Sequence, residues 1–192
     1  MYTIKENVVY ELIIKNSRFI TLLYKIDNYD DVLKIIDLVK KQYPGATHYC
    51  YAYICDDRKK SCDDGEPSGT AGMPILNVLE NNKLNKVLAI VVRYFGGIKL
   101  GASGLIRAYS KCSSNALKNS NLLEMTLGYD VMINFSYEKI KEIDFLLRDM
   151  SIVKKDFNDM VCYRVLMPRD FIDTLDKLAI NYEIIKEVYI EK

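Results

Sequence analysis

Apolar positions along this chain follow three spacings in turn, and each spacing predicts an element. The unbroken run VLAIVV, Val87 to Val92, has the pattern of a strand buried on both faces and is far short of a membrane span. Upstream, VVYELIIKNSRFITLLYKI (8–26) reads as two strand-forming runs about Lys15-Asn16-Ser17, a hairpin. Val32, Leu33, Ile35, Ile36 and Val39 then recur at helical spacing. They predict a helix to Lys41, capped by Asp27 or Asn28, with Asp30 and Asp31 in its first turn and Pro44-Gly45 beyond its end. ATHYCYAYIC (46–55) alternates as a strand, with Thr47, Tyr49, Tyr51 and Tyr53 on one side and His48, Cys50, Ala52 and Ile54 on the other. Residues 56–72 are dense in Asp, Gly, Pro and Ser and predict a long loop, followed by a helix from Pro74 to Glu80. After the central strand come Arg93, Tyr94 and Phe95, then glycines at 96, 97, 101 and 104. Leu105, Ala108, Tyr109, Cys112 and Ala116 return to helical spacing, so a helix begins near Gly101.

Beyond Asn121 the pattern restarts. MTLGYDVMINFSY predicts a strand, YEKIKEIDFLLRDM a helix, and IVKKDF and MVCYRVLMP two strands about Asn158-Asp159. A helix from Pro168 to Ala179 and a last strand, YEIIKEVYI, complete the order βαββαβ. The expected class is α+β in two domains, residues 1–122 and 123–192, joined by an exposed linker near 120–128.

Composition adds little except through charge. Apolar residues at 49% suffice for a core, and no run approaches a spanning length, so no membrane association is expected. MYTIKENVVYE lacks a signal-peptide pattern, and five cysteines without a CxxC suggest reduced thiols, so a cytoplasmic location is expected. With one histidine, no metal site is expected. Charge is unevenly placed. Between Asn81 and Leu123 stand Lys83, Lys86, Arg93, Lys99, Arg107, Lys111 and Lys118 and no acidic residue, although the whole chain carries only +1. Such a block is either an anionic-polymer footprint or a solvated face that meets acids from elsewhere in the fold.

The glycine-rich turn lies inside that block. Free amides at a helix start favour an anion, and glycines admit close approach. Gly96 and Gly101 have GxxxxG spacing, but Ala102-Ser103 stands where a P-loop has Lys-Ser/Thr, which excludes a P-loop nucleotidase. The candidate site for phosphate, sulfate or nucleic acid is Arg93, Gly96, Gly97, Lys99, Gly101, Ser103, Gly104, Arg107 and Lys111. The alternative is a tight turn whose glycines serve packing alone. Three further groups carry chemistry. His48 and Cys50 share a strand face, a possible dyad without an identifiable orienting partner, and catalysis is not expected there. Asp63, Asp64 and Glu66 can bind a cation, bond their own loop backbone, or pair with Arg93 or Arg107, and the last reading best explains how a long loop is ordered. Arg18 in the hairpin is a weaker phosphate candidate than Arg93.

The pattern VVRYFGG…LG…GLIRAY, with Ser17-Arg18-Phe19-Ile20, His48-Tyr49-Cys50 and DDGEPSGTAG (63–72), resembles the YigZ/IMPACT family across residues 11–110. The part beyond Asn121 is similar to the bacterial YigZ branch. The resemblance implies a first domain of the ribosomal protein S-five second-domain type. It implies a second, ferredoxin-like domain similar to the last domain of elongation factor G. It marks His48, Asp63, Asp64, Gly65, Glu66 and Thr70 as family-motif loop positions, and Met73 stands where the family motif usually carries a basic residue. The eukaryotic branch acts in translational control through an additional domain. The expected function is therefore a non-enzymatic binding module for RNA, the ribosome or a translation-related protein, without a cofactor. The alternative is a small-molecule enzyme using the turn as a phosphate site, by analogy with kinases of the GHMP class.

Overall fold

The structure is a computed structural model that describes residues 1–192. It divides into two compact units, Met1–Glu124 and Met125–Lys192. Both mix sheet and helix, so the chain is α+β.

In the first unit a five-stranded antiparallel sheet has the order β2-β3-β6-β4-β5, built from Val8–Ile14, Ser17–Lys25, Val87–Tyr94, His48–Cys55 and Arg58–Cys62. The central strand β6 is buried on both faces, as its unbroken apolar run requires. Val87, Ala89 and Val91 face a core shared with Ile75, Leu79, Leu105 and Tyr109. Leu88, Ile90 and Val92 face a second core with Val32, Ile36 and Val39. Helix α1 (Asp31–Gln42) thus covers one face, and α2 (Gly72–Asn81) with α3 (Ala102–Lys118) covers the other. The two sides of β4 divide as the alternation predicts, with Cys50, Ala52 and Ile54 in the α2/α3 core and the tyrosines towards α1.

Several local expectations change. The β2–β3 hairpin turns at Lys15 and Asn16, both with positive φ (45° and 63°), the conformation that a two-residue turn joining twisted strands needs. Helix α1 starts later than expected. Asn28 accepts the Asp30 amide at 2.9 Å in a local turn, and the helix begins at Asp31 without a side-chain cap. The stretch 56–72 is not all loop, because Asp56 at φ 55° turns the chain into β5. This edge strand carries exposed Arg58, Lys59 and Lys60, so apolar alternation could not reveal it, and those charges protect a free edge. The short strand β1 (Tyr2–Ile4) is likewise too brief to read from pattern.

In the second unit the strands β7 (Leu122–Phe135), β8 (Ser151–Phe157), β9 (Val161–Pro168) and β10 (Asn181–Glu191) pair antiparallel in the order β10-β7-β9-β8. Val131, Ile133, Tyr163 and Val165 pack with Ile143 and Leu147 and with Leu175. The helices are shorter than expected, α4 (Ile140–Leu146) and α5 (Ile172–Lys177), each preceded by a 3-10 turn. The expected linker near 120–128 is replaced by β7 itself, whose residues 122–124 pair with β1 and whose residues 125–135 pair within the second unit. No helix is long and apolar enough to cross a membrane.

Candidate functional site

Sheet register brings the site together. Arg93 on β6 is the cross-strand partner of His48 on β4 and of Phe19 on β3. Arg93 lies two residues past Val91 and His48 two before Cys50, so both side chains lie on the α2/α3 face, at the end where that core opens. The loop after β5 supplies the third member, Glu66.

Glu66 is buried and its Oε1 accepts two hydrogen bonds, from Arg93 Nη1 at 2.5 Å and from the Tyr109 hydroxyl at 2.7 Å. Its Oε2 has no hydrogen bond and faces His48 Nε2 at 3.9 Å. Arg93 is 5% exposed, stacks near Phe19 and Phe95, and keeps a buried Nε–H without an acceptor. Its second Nη reaches only the Ser17 hydroxyl, at 3.5 Å. Pairing of the acidic loop with Arg93, one of three readings open from sequence, is the arrangement found. Burial beside the Cys50 thiol and the Glu66 carboxylate pushes the Tyr109 hydroxyl far above its ordinary range, so it remains a neutral donor.

The other loop residues hold Glu66 in place. The Asp63 carboxylate accepts from the amides of Gly69 (2.8 Å), Ala71 (3.0 Å) and Gly72 (2.8 Å), capping α2 from outside the helix. Burial raises its pKa, but these three backbone bonds together outweigh burial and hold the carboxyl below its usual range. Asp64 accepts the Tyr49 amide at 2.7 Å, and the Thr70 hydroxyl donates to the Pro67 carbonyl at 2.6 Å. Gly65 takes φ 86°, with His48 Nδ1 3.5 Å from where a Cβ would stand. The acidic loop is thus ordered both by its own backbone and by the ion pair. Met73 lies exposed on α2 beside the Ser61 hydroxyl and does not line the cleft.

His48 acquires the orienting partner that sequence did not reveal. Its Nδ1 lies 2.8 Å from the Asp64 carbonyl, which can only accept, so Nδ1 carries the proton and Nε2 is left facing the cleft. A Cys–His dyad is excluded. The Cys50 thiol is buried, between the Asp63 carbonyl at 3.0 Å and the Tyr109 hydroxyl at 3.3 Å, and burial pushes it up well beyond the range of reactive thiols.

A cleft of about 420 Å³ opens over these groups, lined by His48, Glu66, Arg93, Phe95, Lys99, Leu100, Gly101 and Leu105 among others. Gly101 is the N-cap of α3 at φ 72°, with no side-chain cap on the first turn, where Ala102, Ser103 and Gly104 present their amides. The two adjacent glycines of the turn have different reasons. A Cβ on Gly96 would come within 2.1 Å of the Asn16 carbonyl carbon, and its amide bonds the Ser17 hydroxyl, so this position serves packing. Gly97 at φ 84° faces open space and serves the bend. Arg107 and Lys111 lie one turn apart on the exposed side of α3, outside the cleft and beside Ser110 and Ser114. Within the basic block only Arg93 meets an acid; Lys99, Arg107 and Lys111 have no salt bridge. Arg18 does, in an exposed pair with Glu11 at 2.8 Å. Sequence reasoning missed Tyr109, Phe95 and Ser17 as site residues. Tyr109 was legible only as a core position on α3, and its hydroxyl at that apolar spacing was the one available signal.

Residues 15–117 match the family model described as the Impact N-terminal domain. Among curated proteins, the chain is 41% identical over 160 residues to the IMPACT family member YvyE of Bacillus subtilis, covering 82% of this chain and 74% of that protein. It is 35% identical over 162 residues to the IMPACT family member YigZ of Escherichia coli, covering 81% and 79%. Protein IMPACT of Rattus norvegicus is 30% identical over 113 residues, covering 56% of this chain and 35% of that protein. A crystal structure described as a hypothetical protein superposes with a TM-score of 0.78 at 30% identity, over 96% of this chain and 97% of that one. On the domain match and on identity sustained over most of the chain, this protein belongs to the IMPACT family.

Proposed function

We propose that the chain is a non-enzymatic binding module that holds the phosphate backbone of RNA in the translation machinery. The contact is the exposed face formed by the glycine turn and the first turns of α3. The observation that carries this reading is the state of the basic block. Lys99, Arg107 and Lys111 are exposed without an acidic partner, next to a helix start without a side-chain cap. A solvated face whose charges meet acids elsewhere in the fold would have been paired. Arg93, placed in the candidate site from sequence, is committed to Glu66 and acts here by positioning the loop.

The architecture is in keeping with a translation-related role. We read the first unit as the ribosomal protein S-five second-domain type. The second we read as ferredoxin-like and similar to the last domain of elongation factor G. Support for the second comes from the sheet order β10-β7-β9-β8, the first, second, third and fourth strands of a βαββαβ unit in the order 4-1-3-2. The domains so proposed are those expected as 1–122 and 123–192, with the boundary two residues later at Glu124.

A Lys99→Glu/Arg107→Glu variant tests the reading. Its affinity for unrelated single-stranded RNAs falls, and the slope of log affinity against log salt shallows by roughly 1–2, because each phosphate contact contributes about 0.7 for single strands. A folded variant with unchanged affinity and slope makes the basic block a solvated face. One observation favours the second reading, a small-molecule enzyme at the same turn, namely the orientation of His48 Nε2 into the cleft. Thermal stabilisation by nucleotides without RNA affinity reverses the ranking.

A further inference from the structure

The cleft beneath the basic face differs in chemistry from that face. Its floor is buried, with Glu66 8% and Arg93 5% exposed, whereas Phe95 and Lys99 at its lip are open to solvent. Leu100 and Leu105 furnish an apolar wall, and the first turn of α3 enters beside them. At about 420 Å³ it falls within the ~300–1,000 Å³ of small-molecule sites, which combine apolar walls with a few convergent polar groups.

One buried polar group at the floor is incomplete: Arg93 Nε–H has no acceptor, in a side chain more than nine-tenths buried, where unmet polar atoms are costly and rare. Beside it, Glu66 Oε2 makes no hydrogen bond and faces His48 Nε2 at 3.9 Å. The lip carries the opposite bias. Lys99 is unpaired, and the amides of the α3 start meet no side-chain cap. Arg93 cancels the charge of Glu66, so the field reaching a ligand comes from Lys99 and the helix start, and it is positive.

We propose that this cleft binds a terminal phosphomonoester attached to a ring, with the phosphate at the α3 amides and Lys99. The ring lies against Phe95 and the leucine wall, and a ligand hydroxyl donates to His48 Nε2. A phosphodiester within a chain continues on both sides of its phosphorus, whereas a monoester ends there, and the buried Glu66–Arg93 floor closes one side of the cleft. Two sources share this chemistry, a free mononucleotide and the 5′-phosphorylated end of an RNA. Only the second rests on the RNA-binding reading above.

The test uses the full chain with adenosine 5′-monophosphate against adenosine, and with one RNA sequence carrying a 5′-phosphate against the same RNA with a 5′-hydroxyl. Calorimetry reads the first pair and fluorescence anisotropy the second. The phosphorylated member of at least one pair binds tighter by roughly 10- to 100-fold, the range of one or two charge-assisted hydrogen bonds. Lys99→Gln reduces that preference, and His48→Gln weakens both members of the pair alike, while the midpoint of thermal unfolding stays within a few degrees. If His48→Gln unfolds, Lys99→Gln alone decides. A preference in the first pair only identifies a free nucleotide, and one in the second pair only identifies an RNA end. RNA bound without preference for the 5′-phosphate, together with nucleotide and nucleoside bound alike or not at all, overturns the proposal and leaves the RNA reading standing. Mononucleotide bound in preference to adenosine, with no RNA affinity, upholds the proposal and removes that reading. A phosphate preference that survives Lys99→Gln places the phosphate elsewhere and also overturns it.

Discussion

Arg93 and Glu66 meet at 2.5 Å with side chains 6% and 3% exposed, joining the end of the central strand to a loop 27 residues upstream. The pair replaces a hydrophobic contact at the one end of the α2/α3 core where the sheet opens into a cleft. Removing one partner leaves the other charged and desolvated, whereas removing both leaves no stranded charge.

Arg93→Met and Glu66→Leu should therefore each cost about 3–5 kcal/mol, the usual range for breaking a buried pair. The double variant should cost at least ~1 kcal/mol less than the sum, because contacting groups couple. Denaturant unfolding of the four proteins checks this. Strictly additive costs would mean that the two charges do not stabilise each other.

Asp63 gives a dependence on pH with a determined sign. Its carboxyl is held below the usual range when folded, so the stability it contributes is present above the unfolded pKa of about 3.9. That contribution is lost as pH falls through the lower, folded pKa. Asp63→Ala should cost about 1–2 kcal/mol at pH 7, the scale of a lost cap on a partly exposed group. The difference from wild type should begin to shrink below about pH 4 and close once the pH is below the folded pKa, where both lack the carboxylate. Urea unfolding at pH 7 and at pH 3 measures it, and a gap that stays constant would assign Asp63 a role independent of its charge.

The parts of this fold that were legible before the structure are those where burial is periodic. The apolar run 87–92, the split faces of β4 and the helical stripe of α3 each announce their surroundings. Strand β5 was hidden, because an edge strand of Arg58, Lys59 and Lys60 has polar side chains on both faces and its pairing is carried by backbone. In the site, residue types suggested that an acidic loop would meet a basic turn. They did not distinguish Arg93 from Arg107, and only register settles it, by setting Arg93 opposite His48 while Arg107 lies exposed on α3. The orienting partner of His48 was invisible for a different reason. It is a backbone carbonyl, that of Asp64, and every residue has one.

The passage between the two units gives the last prediction. Near 120–128 the sequence suggested an open linker, yet Leu122, Leu123 and Glu124 pair with Ile4, Thr3 and Tyr2 before β7 continues into the second unit. Lys5 also donates its amide to the Asn121 carbonyl at 2.8 Å. Ile4 and Thr3 are fully buried, so β1 is part of the first unit's interior, and its partner strand is the segment just past the expected boundary. A fragment of residues 1–124 should therefore be more stable than one of residues 1–121. The difference should be about 1–3 kcal/mol, that of a few net backbone hydrogen bonds at about 1 kcal/mol each. Limited proteolysis of the intact chain should likewise spare residues 122–135, since cleavage needs local opening of paired backbone. Fragments of equal stability, or an early cut within that strand, would restore the linker and place β1 among the dispensable elements.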